Sequence, residues 1–210
     1  MKGDLHIHSK YSPDSRTEPD DIIKYSVKLG LDFISISDHN KFNKYKSESI
    51  IIIPGEEVTS IDGHILALFI EEEIPKGLSQ METIDRIHDS GGIAILAHPF
   101  RMVNGIGKKY VNSYDAVEVK NSRCGKGCNR KALKLANQLN VGKTAGSDAH
   151  FLNEIGRVYL EIPDGDMESI RKAIIKGIGN ATGEDLTFRN RILLYWKMGS
   201  EYASRGFKRI

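Results

Sequence analysis

The chain has 210 residues, 40% hydrophobic and 28% charged, with 30 Lys and Arg against 28 Asp and Glu for a net charge of +2. That length suits one domain, or two small ones, with a true core, and the composition excludes a disordered or fibrous chain. The near-zero net charge excludes a polycation that holds nucleic acid through bulk charge alone. No apolar run approaches the roughly 18 residues of a membrane helix. Asp4, His6 and His8 follow Met1 closely, so no secretory leader is read. Cys124 and Cys128 are too few for a disulfide framework, and Cys-x3-Cys lacks the two further thiols of a zinc ribbon. They read as packed or loop thiols. A cytoplasmic protein without membrane association is expected.

In chain order, short apolar runs predict strands over Asp4–His8, Phe33–Ser37, Ile50–Pro54, His64–Ile70, Ile93–Ala97, Ala116–Val119, Lys143–Gly146 and Val158–Ile162. Most are rich in Ile, Leu and Val without clean alternation, which suits strands covered on both faces. Helical spacing predicts helices over Asp20–Leu29, Met81–Ser90, Arg130–Leu139 and Met167–Ile178. Pro19 and Gly30 punctuate the first. Alternating strands and helices predict an α/β fold with a mainly parallel sheet, either a barrel or an open sheet. Ile50 to Ile70 holds two predicted strands with no room for a helix between them, which breaks a plain eightfold repeat.

Six of the seven histidines fall at predicted strand ends. His6 and His8 share one face of the first strand, because side chains alternate. His39 follows the second strand, His64 opens the fourth and His98 ends the fifth. Asp148 and His150 follow the seventh. The carboxyl ends of parallel strands are where α/β folds build active sites. Crowded imidazoles and carboxylates need a cation to organise them, and a set without thiolate suits Zn, Mn or Fe. His6, His8, Asp14, His39, Glu57, His64, His98, Asp148 and His150 make nine candidate ligands. A catalytic zinc takes three protein ligands, so nine point to two or three ions. His88 lies on a predicted helix and reads as a bystander.

The motifs Asp4-Leu5-His6-Ile7-His8-Ser9, Ser37-Asp38-His39, Gly55-Glu56-Glu57-Val58, Gly63-His64-Ile65-Leu66, Ala97-His98-Pro99, Glu118-Val119-Lys120-Asn121 and Gly146-Ser147-Asp148-Ala149-His150, in this order, resemble the PHP (polymerase and histidinol phosphatase) superfamily. The resemblance implies a distorted (β/α)7 TIM-like barrel over residues 1–185 with a trinuclear metal site. It implies hydrolysis of a phosphate ester by a metal-activated hydroxide. Carried over by residue, His6, His8, Glu57 and Asp148 hold one ion, Glu57 bridges to a second held by His64 and His98, and Asp14, His39 and His150 hold the third. Glu57 is chosen over Glu56 by the Gly-x-Glu pattern, and Glu56 is expected to point the other way. Ser12-Pro13-Asp14-Ser15 departs from the family's Ser-Asp-Gly. Asp148 and His150 line the reacting centre, and Arg101 and Arg123 are candidates for gripping phosphate. Glu118 and Asn121 are expected to order hydrogen bonds behind the ligands.

The expected substrate is a phosphorylated small molecule, a phosphomonoester or nucleotide. A nuclease acting on nucleic acid ends is the second reading, and a non-catalytic metal-binding module the third. The nuclease reading draws on residues 186–210, which carry Arg189, Arg191, Lys197, Arg205, Lys208 and Arg209 among Tyr195, Trp196, Tyr202 and Phe207. That segment is expected to be a basic helical extension packed on the barrel.

Overall fold

The computed structural model describes residues 1–184, together with Ile192, Leu193, Trp196, Gly199, Ser200 and Ala203, which are helical. Most of the expected 186–210 extension therefore lies outside the described residues. The strands are β1 (Lys2–Ile7), β2 (Phe33–Ile36), β3 (Ile51–Ile52), β4 (Gly55–Thr59), β5 (His64–Leu68), β6 (Ile93–Leu96), β7 (Ala116–Asn121), β8 (Gly142–Gly146), β9 (Val158–Glu161) and β10 (Asn180–Gly183). The helices are α1 (Pro19–Lys28), α2 (Gln80–Asp89), α3 (Lys126–Leu139) and α4 (Met167–Ile175). No helix among the described residues is long and apolar enough to cross a membrane.

Local chemistry sets the helix ends. Pro19 opens α1, where its missing N–H costs nothing. Ser79 and Glu82 form a capping box on α2, and Asp166 caps α4 through the Ser169 N–H. Asn140 closes α3 in the left-handed conformation.

The strands form two five-stranded sheets, ordered β10-β9-β1-β2-β3 and β4-β5-β6-β7-β8. This is a mixed α/β fold, and the expected closed, mainly parallel barrel is not what the ladders form. β1–β2, β2–β3, β6–β7 and β7–β8 run parallel. β1–β9, β9–β10, β4–β5 and β5–β6 run antiparallel. The cause in the second sheet is the short Ser60–Gly63 connection, where the Ser60 hydroxyl donates to the Gly63 carbonyl and Gly63 has φ 148°. A tight turn of this kind joins only antiparallel neighbours, since parallel ones need a long crossover. The sheets meet at two isolated bridges, Ile7 with Ala149 and His39 with Glu57.

Both faces of the sheets are covered except at the β9–β10 edge. Leu66, Leu68, Ile93 and Ile95 pack with Leu5, Phe33 and Leu160 in one core. Ile65, Ala67, Leu96 and Val117 turn the other way, onto Ile84 and Ile87 of α2 and Leu135 and Ala136 of α3. Ile34 and Ile36 meet Ile22 of α1. Burial on two faces explains the near-continuous apolar strands.

Candidate metal centre

All nine sequence-predicted ligands come together around the two bridges that join the sheets. The first sheet and its loops bring His6, His8, Asp14 and His39. The second brings Glu57, His64, His98, Asp148 and His150. His64 opens its strand yet reaches the same rim, because β5 runs antiparallel to β4 and β6. Apart from Asp14, every member is buried.

Glu57 stands at the centre. Its Oε1 lies 2.8 Å from His64 Nδ1 and 2.7 Å from His98 Nε2. Its Oε2 lies 3.3 Å from His6 Nε2, 3.4 Å from His8 Nε2 and 3.0 Å from His39 Nδ1. Asp148 Oδ1 is 3.3 Å from His8 Nε2 and 3.9 Å from His6 Nε2. Asp14 Oδ2 is 2.8 Å from His150 Nε2 and 3.6 Å from His39 Nε2. Four triads have donor atoms close enough to share an ion: His8, His39 and His150; His6, His8 and Asp148; His6, Glu57 and His98; His39, Glu57 and His64.

A second ring of groups aims these side chains. Glu118 Oε1 takes His6 Nδ1 at 3.0 Å. The Ser12 hydroxyl takes His8 Nδ1 at 3.0 Å and itself donates to Asp38 at 2.8 Å. The Asp148 carbonyl takes His150 Nδ1 at 2.9 Å. Each tie leaves the Nε2 lone pair facing inward, the arrangement of a ligating histidine. Asp38 also accepts from the Ser9 N–H at 2.6 Å and the Ser9 hydroxyl at 2.7 Å, so it pins the loop after β1. The sequence reading missed Asp38 and Ser12. Their only signal was adjacency to His39 in Ser37-Asp38-His39 and proximity to His8. His98 and Asp148 have φ 26° and 54°, left-handed values that non-glycine residues adopt at a cost and that cluster at functional sites.

The electrostatics show a pocket short of positive charge. Burial opposes ionisation of Glu57, yet His64, His6 and His39 hold it well below the usual carboxylate range. Burial likewise opposes ionisation of Asp148, which His6 and Arg101 hold well down. Burial would lower His39, but Glu57 and Asp14 push it up to about 10. His8 is driven well down by burial, then by His150 and His39. Protons or metal ions are the two ways to supply the missing charge. The Nε2 atoms of His6 and His8 and Oε2 of Glu57 are buried without a hydrogen-bond partner. Buried polar atoms are rarely left so, and three converging lone pairs fit a cation.

Glu56 does point the other way, accepting from the Ile74 N–H at 2.6 Å, and burial pushes its carboxyl up to about 8. Arg101 reaches the site: its Nη1 lies 2.6 Å from Asp148 Oδ2. Arg123 does not open onto it. Its guanidinium is buried against Glu154 at 3.1 Å, and Glu154 also accepts from the His150 N–H at 3.0 Å. Asn121 donates to both Glu118 and Asp148. His88 pairs with Asp115 at 2.8 Å, away from the cluster.

The PHP domain family matches residues 4–85 and the PHP-associated family matches residues 127–178. The chain belongs to the PHP superfamily. It is similar to an uncharacterized protein of Methanocaldococcus jannaschii, MJ0417, with 31% identity across 96% of this chain and 92% of that one. A second uncharacterized protein of that organism, MJ1587, is 38% identical over 58% of this chain and 82% of its own length. Among solved structures, a two-domain Bacteroides vulgatus protein containing a predicted PHP-like metal-dependent phosphoesterase superposes with TM-score 0.71 at 17% identity, over 94% of this chain and 69% of that one. The lesion-specific endonuclease PfuEndoQ of Pyrococcus furiosus superposes with TM-score 0.65 at 19% identity, over 93% of this chain and 66% of that one. At such identities these likenesses concern the fold.

Proposed function

We propose that the chain is a metal-dependent phosphoesterase that hydrolyses a phosphate ester at a three-ion site taking Zn, Mn or Fe. The observation that carries this reading is the trio of buried, unpartnered lone pairs on His6 Nε2, His8 Nε2 and Glu57 Oε2. In this reading Asp148 joins those three at one position. Glu57 Oε1 would hold a second with His64 and His98, and Asp14, His39 and His150 would hold a third. Divalent ions at such positions supply Lewis acidity toward phosphoryl oxygens and bring the pKa of bound water toward neutrality.

The protein's own groups do the rest. Glu118, Ser12 and the Asp148 carbonyl hold three imidazoles in one tautomer, so no reorganisation is needed when substrate arrives. Arg101, at the mouth beside Asp148, presents a guanidinium to the equatorial phosphate oxygens. Arg123 acts through Glu154 and the His150 backbone as a positioning residue. The retention of all nine ligands argues against a non-catalytic module.

The test is metal content of the purified protein together with p-nitrophenol release from p-nitrophenyl phosphate and from bis-p-nitrophenyl phosphate, with Zn, Mn and Fe added in turn. Stoichiometric metal and metal-dependent release are expected. A metal-free protein inactive with every ion would overturn the proposal.

A further inference from the structure

The net charge of +2 conceals a sharp division. Residues 91–147 hold ten Lys and Arg but only two acids, Asp115 and Glu118, whereas residues 1–90 hold ten basic and 17 acidic residues. Glu118 is buried behind His6, so the surface of this segment is almost purely cationic. Its densest part is α3, which has Lys126, Arg130, Lys131 and Lys134 exposed and no acid. Among the described residues none of these four has an ion-pair partner.

α3 is anchored to the mouth of the metal centre. Cys128 in its first turn donates to the Phe100 carbonyl at 3.2 Å, and the next residue, Arg101, touches Asp148. Lys108 and Lys109, in the same loop as Arg101, are also exposed. Met102 beside Arg101 is 97% exposed, an apolar group among the cations. From that mouth Lys126, Arg130 and Lys134 recede along one helix face in steps of about 6 Å, roughly 12 Å in all.

We infer that this face is a track for the sugar–phosphate backbone of a single-stranded nucleic acid whose scissile phosphate enters the metal centre. The inference rests on the phosphoesterase reading and specifies its substrate class. A small phosphomonoester has use for cations at the mouth but none for cations 12 Å away along a helix. A repeating anion uses all three, and releases counterions from its backbone in doing so. All the proposed metal ligands but Asp14 are buried, so the reacting phosphate must bend down into the floor, which a flexible strand does and a stiff duplex resists. Met102 suits a sugar or base face.

The test measures binding of a fluorescein-labelled phosphorothioate strand to the metal-loaded protein by anisotropy across a salt series. The variant is the charge reversal Lys126→Glu/Arg130→Glu/Lys134→Glu, and the control is Lys24→Glu/Lys28→Glu on exposed positions of α1. Circular dichroism verifies the fold of both. The α3 variant is expected to bind at least about tenfold more weakly at physiological salt, with a log–log salt slope shallower by about 2. The control is expected to match the parent. Equal binding by parent and α3 variant, equal loss in the control, or preference for the corresponding duplex would overturn the track. Release from bis-p-nitrophenyl phosphate fails independently. Its absence alongside salt-dependent strand binding sinks the phosphoesterase reading, and its presence without strand binding sinks only the track.

Discussion

Gly146→Ala probes how closely the two sheets must approach for the centre to exist. A Cβ built at Gly146 lies 2.4 Å from His6 Cβ, 2.9 Å from His6 N and 3.0 Å from Glu118 Oε1. Two of these are fixed to the β1 main chain, and the third is the oxygen that aims His6. Restoring ordinary contact requires β8 to retreat from β1 by about 1 Å, and misplacement on that scale costs up to about 100-fold in rate. Overpacking of this kind costs about 1–3 kcal/mol, which lowers the Tm by roughly 2–12 °C in a chain of this size. The assay is thermal melting with and without Mn, beside steady-state hydrolysis of bis-p-nitrophenyl phosphate. Gly127→Ala serves as comparison, since nothing lies within 4 Å of the added Cβ, and its Tm should hold or rise. A Gly146→Ala protein with the parent's Tm and full activity would refute the claim that the seam sets the ligand geometry.

Chelation should lower the Tm of the parent, and readdition of Mn or Zn should restore it. One site at a hundred times its Kd is worth about 2.7 kcal/mol, and Glu57→Gln should show a much smaller response; a Tm indifferent to metal would contradict the site. His8→Ala and Asp148→Ala should each cut turnover by at least about 100-fold with an unchanged circular dichroism spectrum, and retained turnover in both would exclude them as ligands. Arg101→Ala should lower kcat/KM roughly tenfold or more, as loss of a charged hydrogen bond does, while Arg101→Lys recovers only part. Burial pushes the Cys124 thiol far above its usual range, whereas Cys128 is half-buried. Iodoacetamide at pH 8 should modify Cys128 first and Cys124 only on unfolding, as peptide mapping would show.

The fold was legible where hydrophobicity spoke. Ile93–Leu96 stands out because both faces are covered, and Val158–Glu161 because Val158 and Leu160 are buried. Two strands did not. Gly55–Thr59 carries two glutamates, and Asn180–Gly183 is a polar strand with an exposed first residue, so neither offers an apolar pattern. α3 begins at Lys126 rather than Arg130; its first turn was not legible because Gly127 and Cys128 are weak helix formers. α4 stops at Ile175 rather than Ile178, because Gly177 turns left-handed at φ 63°. The nine histidines and carboxylates were legible because their chemistry is costly without a shared purpose. The commitment of Arg123 to Glu154 was not, since it pairs residues 31 positions apart. Parallel order failed at β4–β5, where a short turn decided direction.

The ligands are divided between the sheets, and the isolated bridges that join those sheets lie at the ligand rim. Under the proposed reading, a cation held there would act as a rivet across the seam as well as a reagent. Opening of the empty protein should start at this rim, with Ile7 parting from Ala149 and His39 from Glu57, while the ladders within each sheet hold. Native-state hydrogen exchange would register this as metal-dependent protection of the His8 and Glu57 amides, which cross the seam to Ala149 and Asp38, against metal-independent protection within β5 and β6. The ions proposed to serve the chemistry would then also set how often the site comes apart.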